Sequence, residues 1–211
     1  MIKYGNFIFS MITAIVAVIA LSQTHKQIKI SNKQHLFDKR MENYLIAKGL
    51  IQLYRNNCMI FNNEEDEPIF DAKLYFVWLT NNTYLEQITP AISDVLNPLN
   101  HKNLLIKLED LKEISTKIRL LFPNKTGYLL ADFVLKYQQL LHSLYKYQIL
   151  LKDMDKMNEA HKFTLEEIQE KIGEEKYRIE LKTAFDSLRK GYNLIEIKNV
   201  EERVEKQIKL Y

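Results

Sequence analysis

The sequence predicts an all-α protein, with an N-terminal transmembrane helix followed by a cytoplasmic bundle of about five to seven helices. Three observations predict this fold class. The 211 residues include only 5 glycines and 4 prolines, so few positions favour turns or sheet corners. Most of the chain repeats apolar residues at helical spacing, with charged residues between them. Residues 4–22, close to the N-terminus, carry no charge at all.

Residues 4–22 predict the membrane span. A helix of these 19 residues is about 28 Å long, which is close to the thickness of the hydrocarbon core of a bilayer. The segment has no stripe of polar residues at helical spacing, and this argues against an amphipathic helix of a soluble protein. We therefore expect a transmembrane anchor over residues 1–23 and an all-helical cytoplasmic domain over residues 24–211.

The charges that flank this apolar segment predict its orientation. A single lysine precedes it, whereas Lys26, Lys29 and Lys33 follow it, within a stretch of seven bases and two acids over residues 24–63. Because basic residues favour the cytoplasmic side, we expect the N-terminus outside the inner membrane and the body in the cytoplasm. We expect residues 4–22 to contact the lipid bilayer and the three lysines to lie near anionic headgroups.

Two other interpretations of the segment stay open. Ala20, Leu21 and Ser22 match the small–x–small pattern of a signal-peptide cleavage site, and cleavage would make the body an exported protein. The basic stretch directly after that site disfavours export. A helix that is buried in the protein, or that lies in the membrane interface, is the third interpretation.

The first part of the body predicts two helices separated by an acidic loop. Ser31 with Gln34 has the pattern of a capping box, and it predicts a helix that runs to about Arg55. Residues 68–80 include a short continuous apolar run, which suits either a strand or a helix. We predict a helix, because the sequence offers no second strand to pair with it.

The middle of the chain predicts two more helices. Thr83 with Glu86 is a second capping-box pattern, and it predicts a helix that Pro90 bends and Pro98 ends. Residues 101–122 carry apolar residues at helical spacing and predict a long helix that ends before the next proline.

The C-terminal third predicts two long helices and an amphipathic tail. Residues 128–157 predict a helix, and Thr164 with Glu167 opens another that runs to about Lys190, with Gly191 as its C-cap. The tail has an apolar face that needs a partner, which is the bundle, a second copy or another protein. That face is formed by Ile197, Val200, Val204 and Ile208.

Nothing in the sequence predicts a catalytic, cofactor-binding or metal-binding residue, and we expect no cofactor. The five histidines are scattered, and neither an HExxH motif nor a glycine-rich phosphate loop occurs. Asp153, Asp155 and Glu159 lie near His161, but we expect a solvated helix end rather than a metal site. Glu64–Glu67 is expected to be a solvated loop.

Two further features bear on partners and compartment. The single cysteine, Cys58, excludes an intramolecular disulfide and fits a reducing compartment. The net charge of +3 is small, and a dedicated nucleic-acid binder would carry a dense basic face. Tyr137 lies among lysines, but at helical spacing with Leu141 and Leu144 we expect it in the core. We therefore expect no nucleic-acid partner.

Two stretches resemble a group of uncharacterised bacterial proteins. The first is "SNKQHLFDKRMENYLIAKGLIQLY", residues 31–54, which follows the apolar segment, and the second is "IFDAKLYFVWLTNNTYLEQI", residues 69–88. Members of that group have a single N-terminal span followed by a helical body, and the resemblance covers about residues 1–100. It implies a bacterial inner-membrane location and transfers no catalytic residue.

These observations lead us to expect a non-enzymatic interaction, sensor or adaptor module at the cytoplasmic face of the membrane. One alternative is a membrane-acting effector, of the toxin or phage-defence type, that oligomerises and perturbs the bilayer. A secreted helical protein with a cleaved signal peptide is another. A hydrolase whose carboxylates assemble only in three dimensions also stays open.

Overall fold

The structure, a computed structural model, describes residues 2–57, 72–161 and 164–209, apart from the side chains of residues 2–10, 160, 161, 165 and 168. The all-α prediction is confirmed for this part of the chain. Its elements are α1 (Ile2–Asn57), α2 (Ala72–Thr80), a 3₁₀ helix (Glu86–Ile92), α3 (Pro98–Leu121), α4 (Lys125–His161), α5 (Leu165–Ile172), α6 (Glu174–Ile197) and α7 (Val200–Ile208).

Helix α1 is one continuous helix of 56 residues, about 84 Å long. Residues 11–36 are exposed on every side, and the helix first packs on the core at Phe37 and Met41. The predicted helix start at Ser31 is wrong, because the chain is already helical on both sides of it. A capping side chain is needed only where backbone N–H groups lack partners one turn earlier.

Within the part of the chain that the structure describes, no helix is long and apolar enough to cross a membrane. The predicted span, residues 4–22, begins in a stretch whose side chains up to residue 10 lie outside the described part. Helix α1 continues through residue 23, where we expected the anchor to end, without a break.

The segment after α1 confirms one helix and corrects the start of the next. Helix α2 is helical as predicted. The turn that follows it is organised by Asn82, whose side-chain oxygen accepts the N–H groups of Tyr84 at 3.1 Å and Leu85 at 2.8 Å. The predicted capping box at Thr83 is therefore wrong. Asparagine is well suited to this role, because its short side chain reaches the backbone two residues on.

Helix α3 begins where the sequence predicted an end. Pro98 is its first residue, and the Asn97 side chain caps it by accepting the N–H groups of Leu99 and Asn100. Proline suits this position because its missing N–H would have no partner there and its φ is already helical. The helix ends at Leu121, before the next proline, as predicted.

The helix that begins after Thr164 ends at Gly173 rather than at Gly191. Thr164 and Glu167 form the predicted capping box at the start of α5. Gly173 then adopts a left-handed conformation with φ of 68° and ends that helix. Gly191 lies inside α6, where a Cβ atom would come within 3.2 Å of Lys136 Cδ. The predicted helix end at Gly191 is wrong, because this glycine serves the close packing of α6 on α4.

Helix α4 lies at the centre of the bundle and packs against α2, α3, α6 and α7. Tyr137 is fully buried, as expected, and donates a hydrogen bond of 2.7 Å to the carbonyl of Leu79 near the end of α2. That carbonyl has no partner within its own helix, so the tyrosine hydroxyl supplies one. Burial also raises the pKa of Tyr137 well above its ordinary value.

Helices α6 and α7 separate because their apolar faces point in opposite directions. The buried residues of α6 and those of α7 would lie about 180° apart if the two formed one straight helix. The chain therefore breaks at Lys198 and Asn199, and Asn199 adopts φ of 48° and ψ of 48°. Both faces then reach the same core.

Candidate functional site

The richest polar contact among the described residues joins α1 to the end of α6 and to α7. We refer to it as the α1–α7 seam. It comprises Tyr44, Lys48 and Arg55 of α1, Tyr192 and Glu196 of α6, and Glu201 and Glu205 of α7.

Arg55 forms one end of the seam. Its Nε donates to the hydroxyl of Tyr192 at 3.1 Å, and its Nη2 contacts the carboxylates of Glu196 at 2.8 Å and Glu201 at 2.5 Å. Hydrogen bonding to Arg55 lowers the pKa of Glu196, and hydrogen bonding to Glu196 is the largest cause of the raised pKa of Arg55. Glu201 is more buried than Glu196, so solvent and salt screen its pair with Arg55 less.

Glu205 forms the centre of the seam. Its Oε1 accepts hydrogen bonds from the Tyr44 hydroxyl at 2.7 Å and from Lys48 Nζ at 2.8 Å. Hydrogen bonding to Lys48, and then to Tyr44, lowers the pKa of Glu205. Burial, followed by the bond to Glu205, raises the pKa of Tyr44. Each carboxylate of the seam thus already has a cationic partner on α1.

Arg40 joins the far end of the same surface. Its guanidinium donates to the carbonyls of Leu121 at 3.0 Å and Gln207 at 3.2 Å, and it lies over the ring of Phe122 at 5.5 Å. Those two carbonyls belong to the last turns of α3 and α7, where a cation is favoured by the helix dipole. Arg40 therefore holds two helix ends against α1.

A second polar cluster joins α4 to α6. Glu174 is 1 % exposed, and its Oε1 accepts a hydrogen bond of 2.5 Å from the hydroxyl of Tyr147. Its other oxygen has no hydrogen bond to any residue that the structure describes, and it faces Arg178 Nη2 at 3.4 Å. Burial, and then the bond to Glu174, raises the pKa of Tyr147. Tyr147 belongs to α4, and Glu174 and Arg178 belong to α6, so the bond from Tyr147 to Glu174 is the contact of this cluster that joins the two helices.

The residues that the sequence singled out fall in different places. Lys26, Lys29 and Lys33 are exposed and share one side of α1, within about 60° of one another. In the described part of the chain, no three histidine, cysteine, aspartate or glutamate side chains could together hold a metal ion. Asp153 instead pairs with Lys156 at 3.7 Å. Cys58, Glu64–Glu67 and the side chain of His161 lie outside the described residues.

The apolar face predicted for the tail is divided by the structure. Val200, Val204 and Ile208 are buried in the core of the same chain, whereas Ile197 is 70 % exposed. The partner of α7 in this structure is its own bundle, which was one of the three possibilities. Association with another molecule through all four residues requires α7 to leave that position.

The seam was missed at the sequence level, although a signal for it exists. The +5 charge of residues 24–63 needs acidic partners, and we expected these in lipid headgroups. Lys48 and Arg55 are spaced seven residues apart on α1, and the acids of the seam follow one another at spacings of five and four residues near the C-terminus. Only the fold brings segments about 150 residues apart into contact.

Comparison of the chain with protein-family models, with curated proteins and with solved structures found no match. A functional proposal therefore depends on the residues and contacts of the chain itself.

Proposed function

We propose that this protein is a membrane-tethered interaction module without catalytic activity, with residues 4–22 in the inner membrane and the bundle on the cytoplasmic side. The observation that carries the proposal is the surface of α1 between Met11 and Leu21. Seven large apolar residues there are each at least half exposed: Met11, Ile12, Ile15, Val16, Val18, Ile19 and Leu21.

These seven side chains cover about 220° of the helix circumference, and the remaining arc holds Ala17 and Ala20 together with Thr13. A helix that packs on a bundle buries one apolar stripe and exposes polar residues elsewhere. A helix that is apolar all round needs an apolar surrounding on every side, and hydrocarbon supplies it. The absence of charge over residues 4–22 supports the same environment.

The continuous α1 also supports a rigid connection between anchor and body. About 14 residues, 23–36, separate Ser22 from Phe37, the first residue that packs on the core, which corresponds to about 21 Å of exposed helix. Lys26 and Lys29 follow Ser22 by about 6 and 10 Å, within reach of lipid headgroups. The bundle would then be held away from the membrane surface by this stalk, residues 23–36.

An interaction role is supported by the chemistry of the polar clusters. The acids of the α1–α7 seam are paired with cations across helices, and Glu174 is enclosed between α4 and α6. An acid or base that acts on a substrate must be within hydrogen-bonding reach of it. These groups instead join elements of the fold, and this supports an interaction role for the bundle.

Fusion of topology reporters after Tyr211 tests the proposal. An enzyme that is active only in the periplasm should be silent, and one that is active only in the cytoplasm should work. Deletion of residues 1–22 should move the protein from the membrane fraction to the soluble fraction. Periplasmic activity, or membrane attachment without these residues, would overturn the anchor and its orientation.

The membrane-acting alternative is separated by regulated overexpression with a membrane-potential dye. We expect no depolarisation from the full chain. Depolarisation that disappears when residues 1–22 are deleted would contradict the interaction module and favour the effector. A variant with Lys26, Lys29 and Lys33 replaced by alanine is the control for effects of the basic stretch alone.

A further inference from the structure

We propose that α7 exchanges between two copies of this chain, so that the partner of the interaction module is a second copy with α6 and α7 joined into one helix. This inference rests on the proposed interaction role and deepens it, but it does not use the membrane anchor. Three independent features of the described residues carry it: the hinge, the exposed residue beside it and the site that receives α7.

The hinge is the first feature. Asn199 is the only non-glycine residue with positive φ among the residues the structure describes. A left-handed conformation is unfavourable for a residue with a Cβ atom, although asparagine tolerates it better than most. Joining α6 to α7 would return Asn199 to helical geometry. The resulting helix, residues 174–208, would be about 52 Å long.

The exposed Ile197 is the second feature. In one straight helix, Ile197, Val200, Val204 and Ile208 share a stripe about 80° wide, on the side opposite the buried face of α6. The broken form buries three of these residues and leaves Ile197 70 % exposed. The joined form presents all four together, while α6 keeps its own face on its own bundle.

The site that receives α7 is the third feature. Most of the polar contacts that α7 makes in this site come from α1. Glu201 pairs with Arg55, Glu205 pairs with Lys48 and Tyr44, and the carbonyl of Gln207 accepts from Arg40. A second copy carries the same basic face on α1. It therefore offers α7 the same charge complementarity and the same apolar site.

Zero-length carbodiimide coupling tests the exchange on the full chain in detergent. Lys48 Nζ and Glu205 Oε1 are 2.8 Å apart, so the reagent can join them as an amide. Chains labelled with ¹⁴N and ¹⁵N are mixed in urea and refolded together, and the cross-linked peptides are read by mass spectrometry. Mixed-isotope Lys48–Glu205 peptides report exchange. The Lys206–Glu202 pair, 2.6 Å apart within α7, must give single-isotope peptides in every sample.

Two substitutions at the hinge make the test directional. Asn199→Ala favours the helix and disfavours the left-handed conformation, so the mixed-isotope fraction should rise about fivefold. Asn199→Gly disfavours the helix and favours the left-handed conformation, so it should lower the mixed-isotope fraction. A mixed fraction that increases with protein concentration and follows this order supports the proposal. Single-isotope peptides alone, at every concentration and in both variants, would overturn it. Because the cross-links are measured in detergent, the result does not depend on whether residues 4–22 span a membrane.

Discussion

Replacement of Arg55 by methionine should weaken the attachment of α7 to the bundle. Methionine keeps an apolar stem of similar length but removes the donors to Tyr192, Glu196 and Glu201. Partly exposed ion pairs contribute about 0.2–1 kcal/mol each, and the bond to the tyrosine hydroxyl contributes about 0.5–1.5 kcal/mol. We therefore expect the free energy of unfolding to fall by about 1–3.5 kcal/mol.

Urea unfolding of the full chain in detergent, followed by circular dichroism at the helix band, measures this loss. Hydrogen exchange locates it, and the amides of α7 should lose protection before those of α4. Arg189→Met is the matched control, because among the described residues Arg189 pairs with Asp186 alone, three residues earlier on the same helix. It should cost no more than about 0.5 kcal/mol.

A double-mutant cycle tests whether Arg55 acts through Glu201. If Arg55 acts through Glu201, then Arg55→Met should cost less in a Glu201→Gln background, with a coupling of about 0.5–1 kcal/mol. A coupling indistinguishable from zero, or a loss no larger than that of Arg189→Met, would show that the seam does not hold α7.

Three further predictions follow from the fold. Tyr137→Phe removes the hydroxyl that serves the Leu79 carbonyl, and it should lower the free energy of unfolding by about 1–2 kcal/mol in the same urea assay. The folded-state pKa of Glu205 is lowered, so the stability that its ionised form contributes is present at neutral pH and is lost as the pH falls below about 4.3. Urea midpoints measured from pH 7 to pH 3 should show this loss. Gly127→Ala places a Cβ atom 2.0 Å from the carbonyl oxygen of Phe122, and calorimetry should show a clear fall in the melting temperature.

Each of these predictions has a matched control. Tyr128→Phe alters a 53 % exposed ring and should change stability little. Glu205→Gln should flatten the acid dependence, and an unchanged pH profile would contradict the role of Glu205. Gly49→Ala meets nothing closer than the Asn82 side chain at 3.5 Å, so it should stabilise α1 by about 0.5–1 kcal/mol. Equal effects at Gly127 and Gly49 would refute the argument from close contact.

The sequence predicted well those features that depend on neighbouring residues. The capping box at Thr164 is present, and α3 ends before a proline as expected, because both depend on contacts within one turn. Ser31 carries the same kind of local signal but lies inside α1. A cap pattern shows that a helix could begin there, and it does not show whether the preceding residues are already helical.

The glycines of the C-terminal third show the same limit of local patterns. We expected a helix end at Gly191, yet of Gly173 and Gly191 only Gly173 has positive φ. Gly191 lies inside α6, where a Cβ atom would come within 3.2 Å of the Lys136 side chain of α4, a contact between segments about 55 residues apart. No local pattern distinguishes a glycine needed for its backbone conformation from one needed for its small size.

By itself, the sequence determined the all-α class, the uncharged segment over residues 4–22 and the apolar stripe of α7, since each depends on composition and helical spacing along a single segment. The tertiary structure decided which cations meet which acids. It paired the basic face of α1 with Glu196, Glu201 and Glu205, and it turned the chain at Asn199 so that two opposed apolar faces reach one core. These outcomes depend on contacts between distant segments, which a pattern read along one chain does not specify.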